Sequence, residues 1–242
     1  MKKFLNKYIS NNPHTLLMFA ALFWGFNAIA GRAAVNEISP FLIVSARWLG
    51  VLMILSVICR KEIKTTFFKI NNRLNWLILM GLVGFTGFNS FYYVAAHHTV
   101  AINLGIVQST MPAFIIIISF FWLRSNVSFL QIIGLIVTFL GVLIVVSNGN
   151  FQSLYNLELN SGDLIMIFAC IFYAIYAVGL RKKPSISNLI LMTFFSYVAF
   201  VGSIPGLLIE IFSNNLILPT FKGVLILFII IIFPSLLAQI CF

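Results

Sequence analysis

Charge is what this sequence lacks most. Only 8% of its 242 residues are Asp, Glu, Lys or Arg, and just 5 are acidic. A soluble domain carries about 25% charged residues, so an ordinary water-facing surface is excluded. Acids this sparse leave no DxD or paired-carboxylate cluster for hydrolysis. No GxSxG, HExxH or P-loop motif occurs either, so the chain is read as not an enzyme and as holding no cofactor. Cysteine is scarce as well. Cys59, Cys170 and Cys241 lie in or at the ends of apolar runs without a CxxC spacing. They are read as free thiols, and no metal site is expected.

What is there is apolar. Hydrophobic residues make up 61% of the chain, and the mean hydropathy is +1.07. That composition marks an integral membrane protein. Alternating ten-residue barrel strands are not seen. Long apolar runs form helices that satisfy their own backbone in lipid. The predicted fold class is therefore all-α, a polytopic transmembrane helical bundle.

Eight runs are long enough to cross about 30 Å of hydrocarbon. They are 16–35, 40–59, 74–94, 99–121, 128–147, 162–181, 188–212 and 222–241. The first ends in "AIAGR" after Lys2, Lys3 and Lys7, a pattern with some likeness to a signal-peptide cleavage site. Its length favours an uncleaved first span.

The loops alternate in charge. One side collects Lys2, Lys3, Lys7, Arg60, Lys61, Lys64, Lys69, Arg73, Arg124, Arg181, Lys182 and Lys183, twelve of the 15 basic residues. The other holds Lys222 with Glu37, Glu158, Asp163 and Glu210. The positive-inside rule then predicts a multi-pass protein of the cytoplasmic (inner) cell membrane with both termini in the cytoplasm. The net charge of +10 is an orientation signal, and nucleic acid is not an expected partner.

Shifting the chain by 149 lays "LLMFAALFWGFNAIAGR" over "IMIFACIFYAIYAVGLR". Phe19/Phe168, Ala20/Ala169, Phe23/Phe172, Ala28/Ala177 and Arg32/Arg181 coincide, and Arg73 falls over Lys222. The shift equals five spans, an odd number, so the copies cross the membrane in opposite directions. Such inverted repeats are common in secondary transporters. The predicted units are 14–147, five helices, and 162–242, three helices of an incomplete second copy. Eight helices would then be present of an expected ten in an inverted 5+5 repeat, as in a C-terminally truncated chain.

Several stretches resemble the EamA family of the drug/metabolite transporter superfamily. "AALFWGFNAIAGRAAV" resembles its first helix, with the Trp-Gly pair. "SPFLIVSARWLGVLMIL" resembles its second, with an arginine at Arg47. "FNSFYYVAAHHTVAINLGIVQSTMPAFIII" resembles the third-to-fourth junction, with Pro112. "SFLQIIGLIVTFLGVLIV" resembles the fifth, and "SGDLIMIFACIFYAIYAVGLRKK" the start of a second repeat. The resemblance runs from about residue 14 to the end. It implies a ten-helix secondary transporter or exporter of small metabolites, with a cavity between the repeats. The family often has a glutamate near the fourth-to-fifth loop, and "LRSNVSF" has none.

The residues offer candidates for such a cavity. Arg47 lies about eight residues into span 2, where a charge faces a cavity or partner unless it snorkels. Glu37 is a candidate partner for Arg47 or for Arg32, which sits near its span's end. Trp24 and Asn27 share a face of span 1, and their repeat counterparts are Tyr173 and Tyr176. These four supply stacking surface and polar tips to a cavity, or else pack between helices. Asn89, Tyr92 and Tyr93 add polar tips on span 3, or form an interfacial belt. His97 and His98 are adjacent, make a poor metal pair, and are assigned to a loop. Gly81, Gly84, Gly87, Gly134 and Gly141 are assigned to close helix packing.

Span 4 is unusual. Ala101, Gly105, Ser109 and Ala113 recur every four residues, a small face that predicts close packing. Pro112 cannot donate to the Gln108 carbonyl and should kink the helix. Asn103 and Gln108 then face protein or cavity, not lipid.

The cavity residues expected are thus Trp24, Asn27, Arg47, Asn89, Tyr92, Asn103, Gln108, Tyr173 and Tyr176. The expected partners are a small-molecule solute, the lipid bilayer and, as a candidate homodimer, a second copy. The rival readings are a truncated fragment without transport activity and a non-transporting membrane protein.

Overall fold

A computed structural model describes residues 13–63, 73–146 and 160–241. Lys2, Lys3, Lys7, Lys64, Lys69 and Glu158 of the charge pattern lie outside them.

The described residues form a bundle of helices. These are α1 (Pro13–Ala33), α2 (Pro40–Ile58), α3 (Leu74–His98), α4 (Ala101–Leu123), α5 (Phe129–Val146), α6 (Ser161–Gly179), α7 (Asn188–Phe212) and α8 (Phe221–Cys241). All but α5 are long and apolar enough to cross a membrane. With the family match given below, this makes a multi-pass membrane protein. The described part of α5 has 18 residues, about 27 Å at 1.5 Å per residue.

Local chemistry sets where the helices begin. Pro40 starts α2, where its missing N–H costs nothing. Asn160, Ser187 and Thr220 accept from the amides of Gly162, Ile190 and Gly223 at the starts of α6, α7 and α8. Asn36 and Asn214 take positive φ in the turns that follow α1 and α7, a conformation asparagine tolerates well.

The helices pair across the bundle. α2 packs most extensively on α7, α3 on α6, and α1 on α8. This pairing keeps its form when α1 is exchanged with α6, α2 with α7 and α3 with α8. Trp48, Tyr92, Tyr93, Phe195 and Leu55 are fully buried between them. Phe26, Val57, Phe121, Phe129 and Phe212 point outward, as lipid-facing side chains do.

Two helices contain a π-helical stretch, Leu82–Gly87 in α3 and Ile231–Leu237 in α8. Their first residues are separated by the 149 positions that relate the sequence copies. In both stretches the backbone bonds run from i to i+5, a register that favours a bend in the helix.

α4 breaks at Ser109–Thr110 and restarts at Met111, with Pro112 in the first turn of its second half. The Ser109 and Thr110 hydroxyls donate to the carbonyls of Ile106 and Val107, each at 2.6 Å. These bonds satisfy backbone that the break would leave bare in an apolar setting.

The small face of α4 does not pack as expected. Gly105 and Ser109 are exposed, and a Cβ on Gly105 would meet nothing within 4 Å. The buried ridge is instead Leu104, Val107 and Met111, on the side of α4 that meets α6. Gly134 and Gly141 also have open space where a Cβ would sit, because α5 packs chiefly on α4 alone. Of the five glycines assigned to close packing, those of α3 are held close: a Cβ on Gly84 would lie 2.3 Å from the Tyr176 ring.

Candidate functional site

The site begins with a charge in the wrong solvent. Arg47 sits mid-way along α2 and is 3% exposed. It does not snorkel. Its guanidinium is held by two other helices. Nε donates to Ser235 Oγ on α8 at 2.9 Å. Nη1 donates to Asn89 Oδ1 at 2.7 Å and to the Tyr93 hydroxyl at 2.8 Å, both on α3. Tyr93 donates onward to Asn27 Oδ1 on α1 at 2.8 Å. The guanidinium also lies 4.8 Å from the Trp48 ring centroid and 5.5 Å from that of Tyr93, a cation–π distance.

The two π-helical stretches supply this network. In α8, Pro234 has no N–H for the carbonyl of Ile230, four residues before it. Ser235 donates to that carbonyl at 2.5 Å while accepting from Arg47. In α3, Asn89 Nδ2 donates to the carbonyl of Phe85 at 2.6 Å, which aims Oδ1 at the guanidinium. Each bend thus fixes the side chain that receives Arg47.

A cavity of about 30 Å³ adjoins the network. Arg47, Asn27, Asn89, Gln108, Trp24 and Tyr173 line it, together with Trp48, Phe85, Phe88 and Gln239. Its volume suits water. A second cavity of about 160 Å³ lies beside it, walled by Tyr176, Leu191, Met192 and Phe195 and reaching Lys183 and Asn188. Phe85 and Gln239 belong to both. Phe85 stacks among Trp48, Phe195 and Tyr176, with ring centroids 4.6, 5.1 and 5.6 Å away. An aromatic wall therefore divides the Arg47 cavity from one leading to the basic α6–α7 turn. A groove of about 250 Å³ between α1 and α4 shares Trp24 and Gln108 with the first cavity.

The two ends of the bundle differ. At the end bearing Glu37, side chains tie the helices together. Thr220 and Lys222 both donate to the Glu37 carboxylate, the lysine at 3.0 Å. Glu210 accepts from Ser39 Oγ at 2.8 Å and from the Phe41 amide at 2.9 Å. Asp163 accepts from Thr99 Oγ1 at 2.6 Å and Asn103 Nδ2 at 3.1 Å. At the Lys183 end, Ser187 Oγ donates to Glu62 at 3.4 Å and Cys59 bonds Thr193 across α2 and α7. The Thr220 and Lys222 bonds hold the Glu37 carboxyl below the usual carboxylate range.

Six of the nine expected cavity residues thus line one cavity. The other three are placed elsewhere. Tyr176 lines the second cavity. Tyr92 is buried beside Phe88 and Tyr93, behind the wall. Asn103 binds Asp163 at the tied end, because the break in α4 turns its first half toward the start of α6. Glu37 pairs with Lys222 and not with Arg32 or Arg47. Arg32 donates to the Ala96 carbonyl at 3.1 Å.

Sequence reasoning missed Ser235, Gln239 and the buried Asp163. A serine directly after a proline inside an apolar helix was the available signal for Ser235. The freed carbonyl needs a donor, and the next hydroxyl can supply it.

A model of the EamA-like transporter family matches residues 12–147, more than half of the sequence. The chain belongs to the EamA-like transporter family. Curated relatives agree. A Bacillus subtilis protein named uncharacterized transporter YyaM is 24% identical over 84% of this chain and 66% of its own length. An Archaeoglobus fulgidus uncharacterized transporter is 26% identical over 78% and 64%. Uncharacterized transporter YetK of Bacillus subtilis is 26% identical over 91% and 65%. The EamA chain thus spans about two thirds of the length of these relatives. A solved crystal structure matches 95% of the chain and 77% of its own with a TM-score of 0.60 at 15% identity, a likeness of fold.

Proposed function

We propose that this chain forms the solute path of a secondary transporter for small metabolites, working by alternating access between inverted repeats. The observation that carries the reading is the Arg47 cavity. It is lined by α1, α2, α3 and α4 on one side and α6 and α8 on the other, and α1 with α6 and α3 with α8 are pairs that the 149-residue shift relates. The matching π-helical stretches and the exchange-symmetric pairing of helices support the same repeat. The units are residues 14–147 and 162–242.

The hydrogen-bonded Glu37 end and the cavity reaching Lys183 fit one access state. The Glu37 end is closed by hydrogen bonds, and a cavity reaches Lys183 at the other. With basic loops inside, the open side is cytoplasmic, in the inner membrane, and the state suits a solute leaving the cell. The family match points to a transporter rather than an enzyme.

Reconstituted full chain should carry solutes from a labelled metabolite extract into vesicles, and trans-loaded solute should accelerate it. Asn27→Ala and Gln108→Ala should each slow the carried solute at least several-fold. Uptake equal to that of empty vesicles would overturn the reading. Orientation is checked by single cysteines at Lys183 and Lys222: an impermeant thiol reagent added outside cells should label only the second.

A further inference from the structure

We infer that the solute held at Arg47 is an organic monoanion, a carboxylate on a planar apolar body. The inference rests on the transport reading and adds its substrate class.

The first observation is an unbalanced charge. The acceptors around Arg47 are a serine, an amide and a phenol, all neutral. The salt bridge found among the described residues, Lys222–Glu37, lies at the end of the bundle. Neither cavity has Asp or Glu in its lining. A buried guanidinium with neutral partners keeps its full charge in a low-dielectric interior, and an anion brought beside it is held strongly.

The second observation is a surplus of donors at the same cavity. Among the described residues, Arg47 Nη2 makes no hydrogen bond, whereas Nε and Nη1 are used. Trp48 Nε1 and the Tyr173 hydroxyl are buried without partners, and both residues line the cavity. Unmet buried donors are costly. Two around one cavity, beside the Nη2 edge of the guanidinium, call for a ligand rich in acceptors, and a carboxylate has about four lone-pair sites and no donor.

The charge count selects among anions. One guanidinium balances one negative charge. A phosphate near its second ionisation would leave close to one negative charge unpaired in the same apolar wall. The remaining lining sets the body. Trp24, Phe85, Phe88 and Tyr173 are aromatic, and Trp24 and Phe88 lie 6.2 and 5.2 Å from Tyr173. A planar apolar group stacks there. The cavity of about 30 Å³ is too small as it stands. Phe85 and Gln239 must part to join it to the neighbouring 160 Å³. Lys183 lines that neighbouring cavity and follows Arg181 and Lys182 in the chain, a basic run whose potential gathers anions.

The test uses four probes of one shape on the full chain in nanodiscs: phenylacetate, phenylacetamide, phenethylamine and phenyl phosphate. Phenylacetate should raise the unfolding temperature and bind at least tenfold tighter than the other three. Arg47→Lys should weaken it, and Arg47→Gln should abolish its advantage over the amide. Should Arg47→Gln fail to fold, Trp48→Phe and Tyr173→Phe serve, each lowering phenylacetate affinity several-fold while leaving the amide unchanged. Equal binding of the amide or amine, tighter binding of phenyl phosphate, no binding of any probe, or an unchanged preference in the folded variants would overturn the inference. Counterflow separates the two readings. Binding of phenylacetate without its translocation would sink transport and leave the site. Translocation of neutral solutes alone would sink the anion and leave transport.

Discussion

Ser235 holds Arg47. Its hydroxyl accepts from Nε at 2.9 Å while donating to the carbonyl of Ile230 at 2.5 Å. One side chain therefore repairs the backbone gap left by Pro234 and fixes the direction of a buried charge.

That double duty predicts a coupled mutant pair. Ser235→Ala strands Arg47 Nε, at about 1–3 kcal/mol, and leaves the Ile230 carbonyl with only the i→i+5 backbone bond of the π-helical stretch. Pro234→Ala alone restores an N–H near that carbonyl. The double variant should recover part of the loss, so the two changes are non-additive by about 1 kcal/mol. Thermal unfolding in detergent measures it. Strict additivity would mean that Ser235 does not serve the Ile230 carbonyl.

A second prediction separates glycines that look alike in sequence. At Gly84 a Cβ would enter the Tyr176 ring, 2.3 Å from Cγ and 2.4 Å from Cδ2. Gly84→Ala should destabilise by about 1–3 kcal/mol and push α3 from α6. Gly105→Ala and Gly141→Ala meet nothing within 4 Å. They should be neutral or stabilise by up to about 1 kcal/mol through helix propensity. Melting temperatures of the three variants decide this, and equal losses would contradict the packing.

These glycines show where sequence runs out. Spans were legible because each apolar run is long and the loops alternate in charge. The class of the fold, the break near Pro112 and the burial of Arg47 followed from single-chain chemistry. Contacts did not. A small residue permits close approach but does not say which neighbour takes it, so Gly84 and Gly141 read the same. Asn103 shows the same limit. Its amide pointed away from lipid, but only the turn of α4 against α6 decided that it would meet Asp163. Ser235 was hidden because its role depends on a guanidinium 188 positions away in sequence.

The Asp163 cluster gives a third prediction, one that parts stability from transport. Asp163 is buried and accepts from Thr99 and Asn103. Asp163→Ala leaves both donors unmet and loosens the α3–α4 turn from α6, at about 2–4 kcal/mol. Asn103→Ala removes the longer bond and should cost about 1 kcal/mol or less. Because Asn103 lies outside both cavities, its alanine variant should keep solute affinity, whereas Gln108→Ala should not. Binding titrations of the two variants provide the comparison, and an Asn103 variant with a several-fold weaker solute would return that residue to the path.

The last prediction concerns pH at the tied end. Glu37 sits in the turn between α1 and α2, and its carboxyl is held below the usual range, first by Thr220 and then by Lys222. A carboxylate whose folded pKa is lowered stabilises the fold at pH values above its unfolded pKa. That contribution is lost as pH falls through the lowered folded value. Lys222 is 64% exposed, so solvent and salt screen its share. Unfolding temperatures of the wild type and of Glu37→Gln should therefore differ most near pH about 7 and converge toward pH about 3. Subtracting the variant removes every contribution that both proteins share. Lys222→Met should leave part of the difference standing, because the Thr220 bond is the larger cause. A gap between wild type and Glu37→Gln that stays constant with pH would show that the carboxylate charge does not tie α8 to the α1–α2 turn.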